Sequence, residues 1–224
     1  MSQKIDTTKD ALPVENGVVY IVDDDQAIRD SLTLLLSANG FRVSCHENAE
    51  RFLYALNSTD INVISCALLD INLGGPSGIE LQDALLKMNF HIPVAFITGN
   101  GDISSAVDAL KKGAVDFLQK PIKEDLLCNL VKTMLSKAYL DNEQRIELEN
   151  IKIKFKLLTL REAQVLERIV AGRINKQIGT DLDISVKTVE AHRASIMEKL
   201  GVRRPANLLQ IALKHQEAKA RGLI

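Results

Sequence analysis

Four short apolar runs are each followed by a polar residue that could do chemistry. Asp23, Asp24 and Asp25 come after Val18–Val22, Asp70 after Val63–Leu69, Thr98 after Pro93–Ile97, and Lys120 shortly after Val115–Leu118. Carboxylates brought within a few ångströms of one another repel unless a cation neutralises them. Hard oxygen ligands suit Mg²⁺, which takes one or two carboxylates and keeps several waters. A carboxylate is a weak nucleophile. Phosphoryl transfer, however, depends mainly on positioning and on neutralising the charge spread over three oxygens. A divalent cation, a lysine ammonium and a hydroxyl together meet that demand, and the product at a carboxylate is a high-energy acyl phosphate. Taken singly, each residue reads as well as a helix cap, a turn residue or a surface charge. Their joint interest depends on whether the intervening elements bring four strand ends together.

Those elements follow from the hydrophobic pattern. The runs Val18–Val22, Phe41–Cys45, Val63–Leu69, Pro93–Ile97 and Val115–Leu118 are short, rich in β-branched residues and bounded by polar residues or Gly, as strands are. Helix-period stretches lie between and after them, near 26–38, 48–56, 78–88, 103–112 and 122–137. Strict β–α alternation predicts a parallel sheet with helices on both faces. Such sheets bind ligands at the carboxyl ends of their strands, where these polar residues fall.

Residues 17–137 resemble the receiver domain of two-component response regulators. The matching segments are IVDDD (21–25), LLDINLGGPSG (68–78), ITG (97–99) and DFLQKP (116–121). The resemblance implies a flavodoxin-like doubly wound α/β fold with five parallel strands in the order 2-1-3-4-5. It implies Mg²⁺ held by Asp23, Asp24, Asp70 and the backbone carbonyl of Asn72. Asp70 is then the phosphoacceptor, Thr98 bonds a phosphoryl oxygen, Lys120 pairs with it, and Thr98 and Phe117 form the switch. A cis Lys120–Pro121 bond is also implied, and only a following proline makes one plausible. One position departs from the family: the proline usual four residues after the phosphoacceptor is Gly74 here, and Pro76 follows two residues later.

The rest of the chain has a different character. The net charge is -1, yet residues 154–224 carry 14 Lys and Arg against 7 Asp and Glu, while residues 1–153 are acidic. A basic half points to nucleic acid. Residues 1–16 lack periodicity and read as a flexible tail. The charged stretch 138–156 reads as a partly helical linker, with a short coiled coil between two chains as an open alternative. From Thr159 the pattern is all helical. Thr159 and Glu162 form a capping box, and Gly172 breaks the helix they open. A short helix near Asn175–Leu182, a tight turn, and a helix Val186–Leu200 capped by Ser185 and closed by Gly201 make a helix-turn-helix, followed by a helix over 205–215. Residues 157–224 form this all-α four-helix domain.

Residues 157–215 resemble the LuxR-type helix-turn-helix through LTLREAQVL (158–166), NKQI (175–178), ISVKTVEAH (184–192) and KLGV (199–202). The resemblance implies that helix 186–200 enters the major groove of double-stranded promoter DNA. It implies that Glu190, Ala191 and Ala194 face base edges. Asn175, Lys176, Lys187, Thr188, His192 and Arg193 are candidates for phosphate contacts. Val189, Ile196 and Leu200 should pack that helix onto the helices behind it. Glu190 stands where Lys is frequent, and a carboxylate can accept from cytosine N4.

Domain order suggests a phosphorylation-dependent transcriptional regulator of the NarL/FixJ type. A sensor histidine kinase is its phosphoryl source, and choice of kinase is expected to lie near Gln26–Leu34. Phosphorylation is expected to remodel the surface near 103–137 and to promote a homodimer on DNA. The start of the chain has no apolar signal core and no run is long enough to span a bilayer, so a cytoplasmic protein without membrane contact is expected. Cys45, Cys66 and Cys128 are widely spaced and read as reduced, core or half-buried thiols. Two other classes remain open: a phosphatase or phosphotransferase with an aspartyl intermediate, and a dimeric regulator that never uses the phosphoryl group. The first lacks a second acid or base beside Asp70, where the sequence reads Asp70-Ile71-Asn72.

Overall fold

Five short runs pair edge to edge, and the three central ones are too apolar to leave either face in water. The computed structural model describes residues 17–60, 62–99 and 110–223. The strands are β1 (Val18–Val22), β2 (Arg42–His46), β3 (Ser65–Asp70), β4 (Val94–Thr98) and β5 (Asp116–Gln119). They pair in the order β2-β1-β3-β4-β5, with every pair parallel. All six residues of β3 are buried, as a central strand covered on both faces must be.

Alternate side chains of each strand feed two cores. Tyr20, Val22 and Leu69 point into one, against Phe52 of α2 (Ala49–Leu56) and Leu81 and Leu85 of α3 (Gly78–Lys87). Val19, Ile21 and Leu68 point into the other. There they meet Leu32 and Leu36 of α1 (Gln26–Ala38) and Leu127, Val131 and Met134 of α4 (Glu124–Lys156). Strand ends are thereby held by packing from both sides. Asp25 caps α1 by accepting from the Ala27 N–H, so the cap reading holds for this member of the aspartate run.

The chain divides into two compact units, Met1–Asn142 and Glu143–Ile224. The second contains α5 (Leu160–Val170), α6 (Asn175–Leu182), α7 (Val186–Leu200) and α8 (Pro205–Ala220). Its core gathers Val165, Leu166, Ile178, Leu182, Val189, Ile196, Leu200 and Leu208. Val189, Ile196 and Leu200 are each fully buried, as the face expected to hold α7 requires.

Several expectations need correction. β3 and β4 extend one residue further than their apolar runs, so Asp70 and Thr98 are the last strand residues and not the first loop residues. Asp70 pairs in register with Ile97, which is why it remains in the ladder. The stretch 138–156 is helical throughout, since no Gly or Pro interrupts it. Helix α8 runs on to Ala220. Cys66 and Cys128 are buried, but Cys45 is exposed. It lies on β2, an edge strand with an open face. The expected tail over 1–16 and most of the helix near 103–112 lie outside the described residues.

Candidate functional site

Asp23 immediately follows β1, Asp70 ends β3, and Lys120 immediately follows β5. Their side chains meet. The Lys120 ammonium donates to Asp23 Oδ2 and to Asp70 Oδ1, each at 2.7 Å. The two carboxylate oxygens are therefore within twice that distance of each other. Asp23 and Asp70 are almost completely buried. The other oxygen of each is also satisfied: Asp23 Oδ1 accepts from the Asp25 N–H at 2.9 Å, and Asp70 Oδ2 from the Asn72 N–H at 2.6 Å. The Asp23 carbonyl accepts from Arg29 of α1 at 2.7 Å, tying the aspartate loop to the helix behind it. Lys120–Pro121 is cis.

Electrostatics follow from this burial. Desolvation pushes the Asp70 carboxyl above its usual range, and the hydrogen bonds from Lys120 and Asn72 offset only part of that. At Lys120 desolvation pulls the opposite way, but the hydrogen bonds and charges of Asp23 and Asp70 outweigh it and the ammonium is held above its ordinary value. A buried carboxylate whose charged form is disfavoured, beside a fixed cation, gains most from any further positive charge.

Asp24 is exposed, and its Oδ2 lies 3.3 Å from the place a Cβ on Gly74 would take. It therefore borders the loop that follows Asp70. Thr98 is buried one residue beyond the partner of Asp70, and its hydroxyl donates to the Gly99 carbonyl at 3.3 Å. Its own carbonyl accepts from the Lys120 N–H at 2.8 Å, which fixes β5 and the lysine against β4. Phe117 on β5 points outward, 37% exposed. Among the described residues no group of three or more His, Cys, Asp or Glu side chains is set to hold a metal ion. The donors suited to a hard divalent cation are two or fewer close carboxylates plus backbone carbonyl and water, the set Mg²⁺ prefers. The Lys120 ammonium, seated between Asp23 and Asp70, shows that these carboxylates accept a shared cation.

In the second unit, α6 and α7 are joined by a turn in which Asp183 is left-handed, φ 52°. The Ile184 N–H returns to the Gly179 carbonyl at 2.9 Å. Ser185 caps α7 through the Thr188 N–H at 3.0 Å, and the two hydroxyls bond at 2.8 Å. Lys187, Thr188, Glu190, Ala191 and Ala194 are exposed on α7, with His192 and Arg193 partly so. Lys176 is exposed and Asn175 partly exposed at the start of α6. Glu190, Ala191 and Ala194, expected at base edges, thus lie on the side of α7 away from Val189, Ile196 and Leu200, while His192 and Arg193 flank the buried face.

Two family profiles match the chain: the response regulator receiver domain over residues 19–132, and the bacterial regulatory proteins of the luxR family over 156–212. Response regulator protein TmoT of Ectopseudomonas mendocina is 37% identical over 88% of this chain and 88% of its own. Transcriptional regulatory protein FixJ of Bradyrhizobium diazoefficiens is 35% identical over 88% of this chain and 95% of its own. The solved structure of response regulator StyR matches with a TM-score of 0.80 at 38% identity, over 89% of this chain and 99% of that one. The chain belongs to the NarL/FixJ-type response regulators. It is a transcriptional regulator with a receiver domain and a LuxR-type DNA-binding domain, and not an enzyme. Among the described residues no helix is long and apolar enough to cross a membrane.

In this response regulator three features went unread in the sequence. A Cβ on Gly78 would lie 2.1 Å from the Asp70 carbonyl, so only glycine lets α3 start directly behind Asp70. Gly179 plays the same part in the helix-turn-helix, where a Cβ would lie 2.8 Å from the Ile184 carbonyl. Both glycines were visible, but their spacing gives no sign that a helix packs so closely on a nearby backbone carbonyl. The third is Glu162, noted only as half of a capping box. It also accepts from Ser195 at 2.7 Å and from Lys199 at 2.7 and 2.9 Å, both on α7. Gly74, where the family has proline, adopts φ +68°, a value proline cannot reach.

Proposed function

We propose that this regulator is switched by phosphoryl transfer to Asp70 from a sensor histidine kinase, with Mg²⁺ bound. Residues 17–137 act as the receiver, 138–156 as the linker and 157–224 as the DNA-binding domain. The observation that carries the reading is the Lys120 ammonium held between buried Asp23 and Asp70. An oxygen of the Asp70 carboxylate attacks phosphorus, and the bond to the donor nitrogen breaks in line as the acyl phosphate forms. Asp23, Asp24, Asp70 and the Asn72 carbonyl are the residues that would hold Mg²⁺. Bound there, the cation neutralises charge on the carboxylates and phosphoryl oxygens together. Lys120 passes from its carboxylate partners to a phosphoryl oxygen, keeping a charge-assisted bond throughout. Thr98 turns its hydroxyl from the Gly99 carbonyl to another phosphoryl oxygen, and Phe117 leaves its outward position as the hydroxyl moves.

The shifted receiver surface then pairs two chains, and two α7 helices reach successive half-sites of double-stranded promoter DNA. Avidity raises affinity without any new contact to DNA. Lys176, Lys187, Thr188, His192 and Arg193, with Asn175, contact phosphates, while Glu190, Ala191 and Ala194 face base edges. The setting is the cytoplasm, where kinase and promoter meet.

Incubation with acetyl phosphate tests the reading. Mass spectrometry should find one phosphoryl group on Asp70, dependent on Mg²⁺ and lost in Asp70→Asn. Label at another residue of a folded Asp70→Asn protein refutes the assignment. Unchanged oligomeric state and DNA affinity after full phosphorylation refute the coupling, and then the receiver fold serves dimerisation alone.

A further inference from the structure

Beyond Glu143, helix α4 carries two distinct faces. Ile151 is buried, and Phe155 packs against the core of the DNA-binding unit and stacks on His215 at 3.8 Å. Successive helical residues turn by about 100°, so Ile146, Asn150 and Ile153 fall in a stripe about 60° wide, on the side away from Ile151 and Phe155, and Leu157 follows it in the turn just past the helix end at Lys156. That stripe faces water: Ile146, Ile153 and Leu157 are 38%, 51% and 57% exposed. Three large aliphatic side chains repeating at seven- and four-residue spacing form a coiled-coil seam without a partner helix.

We infer that this stripe is a parallel seam between two copies of the chain, formed by Ile146, Asn150, Ile153 and Leu157 of each. It rests on the phosphorylation-driven pairing proposed above and states where, outside the receivers, the paired chains touch. The charges select a second copy as the occupant. With Ile146 and Ile153 at d positions and Asn150 and Leu157 at a, Glu149 occupies g and Lys154 the following e. In a parallel, in-register pair each Glu149 meets Lys154 of the second copy, twice by symmetry. In the single chain Glu149 has only a loose 3.7 Å contact with Lys152, one turn away. An antiparallel pair also matches charges but sets Asn150 against Ile153. The parallel pair sets Asn150 against its own counterpart, the arrangement by which a single core Asn fixes register.

The seam is short. About two heptads do not hold two helices together alone in water, so it contributes once other contacts have raised the local concentration. It then makes pairing of the DNA-binding units depend on pairing of the receivers.

Cysteine cross-linking of the full chain tests this. Cys45→Ser removes the exposed native thiol, and Ile146→Cys, Ile153→Cys or Lys152→Cys is added to it. After treatment with Mg²⁺ and beryllofluoride, Ile146→Cys and Ile153→Cys should form disulfide-linked dimers on mild oxidation, and Lys152→Cys far fewer. Ile153→Lys should weaken the dimer by at least about tenfold, the scale of one lost buried aliphatic side chain, with phosphoryl uptake unchanged. Dimers by sedimentation that cross-link equally at all three positions, and that Ile153→Lys leaves intact, overturn the seam alone. Absence of any dimer under beryllofluoride overturns the seam and the proposed pairing together.

Discussion

Glu162 is the residue whose loss should do most damage to the DNA-binding unit. Its side chain is almost fully buried and accepts five hydrogen bonds. Two come from Thr159 at the start of α5, one from Ser195 and two from Lys199, so a single carboxylate caps α5 and anchors α7 against it. Desolvation raises its pKa, but the bonds from Lys199, Ser195 and Thr159 together outweigh it and bring the value from 4.5 down to about 2. Taken at face value, that displacement is worth about 3 kcal/mol between the two protonation states. Lys199 is 29% exposed, and screening there reduces the expected contribution to about 1–2 kcal/mol. The folded pKa is depressed, so this stability is present in full above pH 4.5 and is lost as the pH falls towards 2. Glu162→Gln keeps the shape and some acceptors and should cost about 1–2 kcal/mol at pH 7. Glu162→Ala also strips the cap and leaves Lys199 without its counter-charge, and should cost about 3–4 kcal/mol. Hydrogen exchange of α5 and α7 peptides in the full chain reads the local opening free energy, and denaturant titrations at pH 7 and about pH 3 read the linkage. In a cycle with Lys199→Met, Glu162→Gln should couple by about 1 kcal/mol or more. If both Glu162 variants protect α7 as well as wild type does, the anchoring argument is wrong. The linkage argument fails if the gap between wild type and Glu162→Gln does not narrow in acid.

Four further outcomes are expected. Gly78→Ala forces the Asp70 carbonyl to move and should destabilise the receiver by about 3 kcal/mol or more while slowing phosphoryl uptake, measured by denaturation and by labelling from acetyl phosphate. Gly179→Ala should instead abolish DNA binding and leave phosphoryl uptake at the wild-type rate. Because the Asp70 pKa is raised, its ionisation opposes folding above the unfolded value of 3.8; stability falls as pH rises through the folded value, and Asp70→Asn should be more resistant to denaturant at pH 7 than wild type. Lys187→Ala or Arg193→Ala should lower DNA affinity across all sequences and reduce the slope of log affinity against log salt by about 1 each, whereas Glu190→Gln should change sequence preference with little change in slope.

The sheet, its helices and the helix-turn-helix were legible in the sequence because short apolar runs and period-3.6 apolar patterns are local signals. So were the capping residues Ser185 and Thr159, which bond within a turn of themselves. The acidic centre was legible only in part. The order of strand ends predicted that Asp23, Asp70 and Lys120 belong together, but not that the Lys120 ammonium would bridge the two carboxylates. Strand bounds at Asp70 and Thr98 shifted by one residue because ladder pairing to the neighbouring strand, and not hydrophobicity, decides where a strand ends. Cys45 came out exposed because an apolar run does not reveal which of its side chains face water.

Residue types and their spacing were enough to determine the two-part architecture and the chemistry each part can support, since both depend on patterns a few residues long. Tertiary structure alone decided that Lys120 reaches two carboxylates at once. It likewise decided that Gly78 and Gly179 lie against backbone carbonyls that leave no room for a Cβ, and that Glu162 belongs to α7 as much as to α5. These contacts are fixed by how whole elements pack, whether the partners are near in the chain or far, and residue type alone encodes no such distance.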